Sequence, residues 1–200
     1  MRNGRTTGDG AFFGDDTFGG GGIRFDSSGS LTLNDSAVTG NRTEGGRARG
    51  GGISALFGDV FLTNSTVSGN STAGILSGGG GIGSFYGDVT LTNSTVSGNS
   101  TAGFGSEGGG IATFLDGDVT LTNSTVSGNS TAESNSEGGG IYADGDVFLI
   151  NSTVSGNSTA GDRSEGGGIY ALSADVTLTN STVSGNSTCL LYTSPSPRDS

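Results

Sequence analysis

Five aspartates, Asp59, Asp88, Asp118, Asp146 and Asp175, recur at steps of 29, 30, 28 and 29 residues, and Glu107, Glu137 and Glu165 recur at steps of 30 and 28. Carboxylates stacked into columns by a repeating fold could take Ca2+ through oxygen ligands. A solvated turn explains the same columns without a metal. At the strand spacing of about 4.8 Å, two like charges in water repel by only about 0.9 kcal/mol. The glycine–aspartate nonapeptide calcium pattern is absent. No metal ligand is therefore assigned, and Ca2+ is kept as the lesser alternative.

Catalytic chemistry has little to draw on. The chain contains no His or Lys, all eight basic residues are Arg, and the paired Asp15-Asp16 lies ahead of the regular repeats. Lyase chemistry with an arginine base would need that Arg among clustered carboxylates. Arg163 beside Asp162 is the candidate within the repeats, and a solvated ion pair explains it as well. Gly103-Phe-Gly105-Ser-Glu-Gly108 spells a dinucleotide fingerprint, but the matching stretches of neighbouring repeats do not keep it. No catalytic, cofactor-binding or metal residue is assigned.

Asparagine and threonine form the other regular columns. Asn-x-Ser/Thr sequons occur at Asn34, at Asn41 and at ten further positions within the exact repeats. They could accept glycans in a secreted protein. For Asn64, Asn93, Asn123, Asn151 and Asn180 an inward amide ladder along a stack is the preferred reading, with a turn ladder for Asn70, Asn99, Asn129, Asn157 and Asn186. Thr90-Leu-Thr92, Thr120-Leu-Thr122 and Thr177-Leu-Thr179 point two threonine columns outward like a flat ice-binding face. Phe61, Phe148 and Ile150 interrupt that plane, and Thr is in any case a good strand residue.

All these columns exist because the chain repeats itself. Asn-Ser-Thr-Val-Ser-Gly-Asn-Ser-Thr begins at Asn64, Asn93, Asn123, Asn151 and Asn180, with a looser copy around Asp35. Its period of 28 to 30 residues suits one coil of a solenoid, which buries its apolar face only against neighbours. From Asp to the second Asn is always 11 residues, and from that Asn to the next repeat's Ile always 12, whereas the Ile-to-Asp step varies from 5 to 7. Stacked strands forbid length changes and outward turns accept them. The Ile-to-Asp turn is thus the elastic corner.

Period-two alternation places Val60, Leu62 and Asn64 on one face, with a bend at Asn64 and Ser65 returning Val67 to the interior. The expected fold is all-β: a right-handed parallel β-helix of about six coils with three short strands each, near residues 52–57, 59–63 and 66–68 of one coil. Residues 19–188 form the array, 1–18 an irregular lead-in and 189–200 a non-repeat tail. That tail, Cys-Leu-Leu-Tyr-Thr-Ser-Pro-Ser-Pro-Arg-Asp-Ser, holds the chain's one Cys and both prolines. It reads either as a disordered terminus or as a sequencing-adapter artefact.

Composition narrows the partners. With 42 glycines, 30% hydrophobic residues and a net charge of -11, the chain suits strands and tight turns, and it repels nucleic-acid phosphates and anionic lipid headgroups. No apolar run is long enough to cross a bilayer, and no signal-peptide stretch opens the chain. A fragment of a longer protein is the favoured reading over a cytoplasmic one.

The alternation of Gly-Gly-Gly-Ile with Val-Ser-Gly-Asn resembles the Gly-Gly-Ala-(Ile/Leu/Val) and Phe-x-x-Asn repeats of chlamydial polymorphic outer membrane proteins. Over residues 19–188 the unit also looks like pectin-lyase-like, right-handed β-helix repeats. It departs in carrying Gly for Ala and Val67, Val96, Val126, Val154 and Val183 for Phe. The resemblance implies an extracellular or bacterial cell-surface location and a non-catalytic stalk or adhesin-like passenger. Its partners would be neighbouring coils of a longer chain and a host-cell, surface or glycan ligand. A polysaccharide-binding or polysaccharide-cleaving β-helix is the alternative, to be favoured by a groove of aromatics and clustered charges. Any binding surface is expected on the variable segments inside the fixed 12-residue span, or else on the corner of Phe57, Phe85, Tyr86, Phe114 and Leu115.

Overall fold

The computed structural model describes residues 5–6 and 20–189. The chain winds as a parallel β-solenoid of six coils, its strands collected into one seven-stranded and three six-stranded sheets. One inner coil carries Ile82–Ser84, Val89–Thr92, Thr95–Ser97 and Ser100–Thr101. Each strand pairs in parallel with its counterpart one repeat later, Ile82 with Ile111, Leu91 with Leu121 and Val96 with Val126. Every coil thus supplies one edge and covers another, as an array whose repeats touch only their neighbours must.

The interior follows the inward columns anticipated from the spacing. Ile53, Val60, Leu62 and Val67 are at most 1% exposed, as are Ile111, Val119, Leu121 and Val126 two coils on. In the last described coil the equivalent Val176, Leu178 and Val183 are 45%, 44% and 44% exposed, because burial of one coil is supplied by the next.

Two expectations are corrected. A coil has four strands, not three: Ser71–Thr72 and its repeats form a further parallel sheet. It turns Thr72, Thr101, Thr131 and Thr159 inward, all buried. A two-residue strand of Ser and Thr has no apolar alternation by which to be seen in sequence.

The second correction exchanges the asparagine columns. Asn64, Asn93, Asn123, Asn151 and Asn180 are exposed, with φ of 49° to 50°. Alternation stops at Thr63, and Asn64 turns the chain in the left-handed region, which Asn tolerates better than most residues. The bend at Asn64 and Ser65 is present. There Ser65 Oγ donates to Thr63 O at 2.8 Å, and Ser65 N–H donates to Ser94 Oγ at 3.0 Å.

The amide ladder belongs to the second column. Asn99 Nδ2 donates to Asn129 Oδ1 at 2.9 Å and Asn129 Nδ2 to Asn157 Oδ1 at 2.9 Å. The same oxygens also accept the backbone N–H of Asn99 and Asn129. Each amide is buried and closes a corner whose backbone groups would otherwise lack partners. The glycine run lies across the coil from it. A Cβ on Gly110 would be 2.6 Å from Gly140 O and 2.9 Å from Asn129 Cγ, so only Gly lets the backbone approach that closely.

Arg5–Thr6 pairs in parallel with Arg42–Thr43, and the final strand, Ser187–Cys189, pairs through Cys189 with Ala160. The rest of the 1–18 lead-in, and residues 190–200 of the non-repeat tail, lie outside the described residues.

Candidate functional site

The aspartate column has protein partners of its own. Asp59 Oδ1 accepts the backbone N–H of Asp88 at 3.0 Å, Asp88 that of Asp118 at 2.9 Å, Asp118 that of Asp146 at 2.8 Å and Asp146 that of Asp175 at 2.8 Å. Each carboxylate therefore caps the next coil's turn, at partial exposure to solvent. Among the described residues no group of three or more His, Cys, Asp or Glu is arranged to hold a metal ion. Arg163 and Asp162 are both exposed, at a loop tip.

The glutamate column behaves differently. Arg49, Gly78, Glu107, Glu137 and Glu165 are joined by successive parallel bridges, which run beside the outer face of the strands that include Ile111–Thr113. On that face Ala112, Phe114 and Tyr142 form a second apolar cluster, separate from the interior and packed against Phe85 and Tyr170. Ring centroids run from Phe85 to Phe114 at 6.1 Å, to Tyr142 at 5.5 Å and to Tyr170 at 5.8 Å. Phe57 and Tyr86 stack at 5.6 Å beside this ladder and are 52% and 53% exposed. The elastic corner thus carries a continuous aromatic ladder along the rod, exposed at Phe57 and Tyr86 and buried at Phe114 and Tyr142.

Arg49 crosses two coils to join it. Its guanidinium carbon lies 4.4 Å from the Phe85 centroid and 3.8 Å from that of Phe114, a cation–π arrangement that desolvation strengthens. Phe114 reaches this position because Gly78 has no side chain: a Cβ there would meet Phe114 Cζ at 2.6 Å. Burial lowers the Arg49 pKa to about 10, while the nearby Glu107, Asp144 and Tyr142 oppose that fall. Burial also pushes Glu107 up to about 7, with Arg49 opposing and Glu137 and Asp144 adding to the rise. Glu137 is raised by burial and then by Glu165 and Asp144. Tyr142 donates to Asp144 Oδ1 at 2.8 Å, and burial first, then the surrounding carboxylates, raises its hydroxyl.

Residues 18–197 match the family described as the right handed beta helix region. The chain belongs to the right-handed β-helix family. No curated protein and no solved structure matches it. Within this β-helix the two expected binding regions flank one face. The variable loops, with Phe104 51% and Ile75 60% exposed, precede the glutamate column, and the aromatic corner follows the strand. Phe57, Phe85, Tyr86, Phe114 and Leu115 are legible at this corner from the sequence, whereas their partners Arg49, Tyr142 and Tyr170 are not. The available signal was the column of Ala112, Tyr142 and Tyr170, which are register partners.

The Glu107 shift has a thermodynamic consequence. Its folded pKa lies above the unfolded value, so the folded state binds more protons between pH about 4.5 and about 7. Stability must then fall as pH rises through that window and level off above it. A rise from 4.5 to about 7 corresponds to on the order of 3 kcal/mol. Urea melts at pH 4, 6 and 8 are expected to show the decline, and Glu107→Gln should remove most of it, being more stable than the parent at pH 8. Equal pH slopes in parent and variant would refute the assignment.

Proposed function

We propose that this β-helix is a non-catalytic, cell-surface or secreted module that acts as a rigid spacer and presents a glycan-binding face, in the manner of an adhesive passenger. The exposed stacked pair Phe57 and Tyr86, continuous with the aromatic ladder, supports this reading. Pyranose rings offer apolar C–H faces that stack on such rings, while Glu137, Glu165 and Asp144 supply acceptors for sugar hydroxyls. The net charge of -11 favours neutral or cationic glycans over acidic ones.

Polysaccharide cleavage is the second reading, because Arg49 is a guanidinium of lowered pKa among carboxylates. Its position argues for structure instead: Nη1 is buried without a hydrogen-bond partner and the group lies against Phe85 and Phe114, closed to a substrate proton. Binding to an array of neutral, amino-sugar and uronate oligosaccharides tests both. Phe57→Ser with Tyr86→Ser should weaken binding about tenfold or more at an unchanged melting temperature. Binding that survives the double variant would move the ligand off this face, and chain cleavage by the parent would favour the lyase.

A further inference from the structure

The fold sorts chemically identical sequons into two classes. In each exact repeat the first Asn, at 64, 93, 123, 151 and 180, is exposed at a corner with positive φ. Its sequon hydroxyl, Thr66, Thr95, Thr125, Thr153 or Thr182, follows on the outward face of the next strand, as the inward Val67 and its repeats require. Of the second class, Asn70, Asn99, Asn129 and Asn157 are buried in the amide ladder, and their hydroxyls Thr72, Thr101, Thr131 and Thr159 are buried as well. Asn41 belongs to this buried class too.

We propose that the outer asparagine column is an N-glycosylation surface of the folded rod and that the inner column is barred from modification by the fold. The acceptor is Nδ2 of the outer Asn. The co-reactants are an activated sugar, carried on a nucleotide or polyprenyl diphosphate, and a glycosyltransferase that reads Asn-x-Ser/Thr. A base on that enzyme takes an Nδ2 proton, the nitrogen forms a bond to the anomeric carbon, and the anomeric C–O bond breaks with its electron pair leaving on the phosphate. No redox change occurs. The corner bears this substitution because the residue is exposed, the side-chain contact of Asn64 Nδ2 with Asp35 Oδ1 at 3.1 Å is itself at the surface, and nothing in the backbone pairing depends on the amide: the N–H of Asn93 and Asn123 goes to Thr122 O and Ile150 O through the main chain.

Spacing restricts the pattern. Successive coils are about 4.8 Å apart, narrower than a hydrated pyranose, so neighbouring outer sites compete. Glycans are expected on alternate coils, at most three of the five exact copies. A rod so decorated would present a sugar-coated edge distinct from the aromatic face.

The test uses the full chain, folded, with a soluble sequon-specific N-glucosyltransferase and UDP-glucose. Intact mass and electron-transfer fragmentation then assign each site. Glucose is expected at the outer asparagines and the exposed Asn34 only, with three or fewer on the five exact copies. A variant with Gly at all five outer positions, a residue that adopts the same φ without strain, and with Asn34→Gln, which removes the remaining exposed sequon, should fold and take none. Heat-denatured parent should accept sugar in both columns. Sugar on Asn99 or Asn129 of the folded chain, or a folded chain left bare by an enzyme that modifies it once denatured, overturns the proposal.

Discussion

Leu121→Asp is expected to destroy the cooperative thermal transition of the rod. Leu121 is 0% exposed and pairs in register with Leu91 on one side and Leu149 on the other. The substitution removes a buried apolar side chain and puts an unpaired carboxylate in its place, a combined cost on the order of 5 kcal/mol or more. Because each coil is stabilised by its neighbours, damage at the centre separates the array into two short stacks. Circular dichroism should show a transition that is broadened and shifted down by well over 10 °C, on the scale of about 4 °C or less per kcal/mol for a chain of this size. A melt superimposable on the parent's would mean that Leu121 faces solvent.

The second large effect is expected from Asn129→Leu. Four side-chain hydrogen bonds are lost with the amide: those to Asn157 Oδ1 and Val96 O, and those accepted from Asn99 N and Asn99 Nδ2. Asn157 Oδ1 keeps the backbone N–H of residue 129 and Asn99 Nδ2 keeps Val67 O, but leucine satisfies neither the Asn99 N–H nor Val96 O, and two such groups at about 1 to 3 kcal/mol each give a loss on the order of 2 to 6 kcal/mol. Gly110, packed against this amide, leaves the branched side chain no room to relax. Asn123→Leu, six residues earlier in the same repeat, should cost only the strain of a branched residue at φ 50°, about 1 to 2 kcal/mol. Equilibrium urea denaturation of the two variants side by side measures the contrast. Equal losses would place both amides in one environment, contrary to the ladder.

Those paired variants mark the boundary between what was legible in the residues and what was not. The repeat length, the parallel stacking and the inward columns of Ile, Val and Leu follow from sequence, since the fixed spans of 11 and 12 residues can be kept only by strands in register. So does the elastic corner, where Leu115, Asp116 and Ser173 adopt positive φ to absorb different lengths. Four of the variable segments are loops with exposed tips for the same reason, as Phe104, Asp162 and Arg163 show, whereas the first, residues 44–49, expected in solvent, instead buries Ala48 and lays Arg49 on Phe85 and Phe114.

The two asparagine columns could not be told apart in this way, because each begins the same tripeptide, Asn-Ser-Thr. Period two extends an inward face from Val60 through Leu62 to Asn64 only while the strand stays straight. The positive φ at Asn64 ends it, and which Asn takes the left-handed corner depends on the closed cross-section of the whole coil. The fourth strand was hidden likewise, since Thr72 is buried by its place in that cross-section and not by hydrophobicity.

The aromatic face shows the same division at longer range. Sequence alone established the strand phase, the repeat and the presence of aromatics at the elastic corner. Only the tertiary structure decided that Arg49 lies over Phe114, 65 residues away, and that Glu107 shares its buried surroundings. Stacking turns one residue per coil into a continuous column, so a side chain's chemistry is set by the coils above and below it. The glycine at position 78, which leaves the space for that contact, has meaning only once Phe114 is known to fill it.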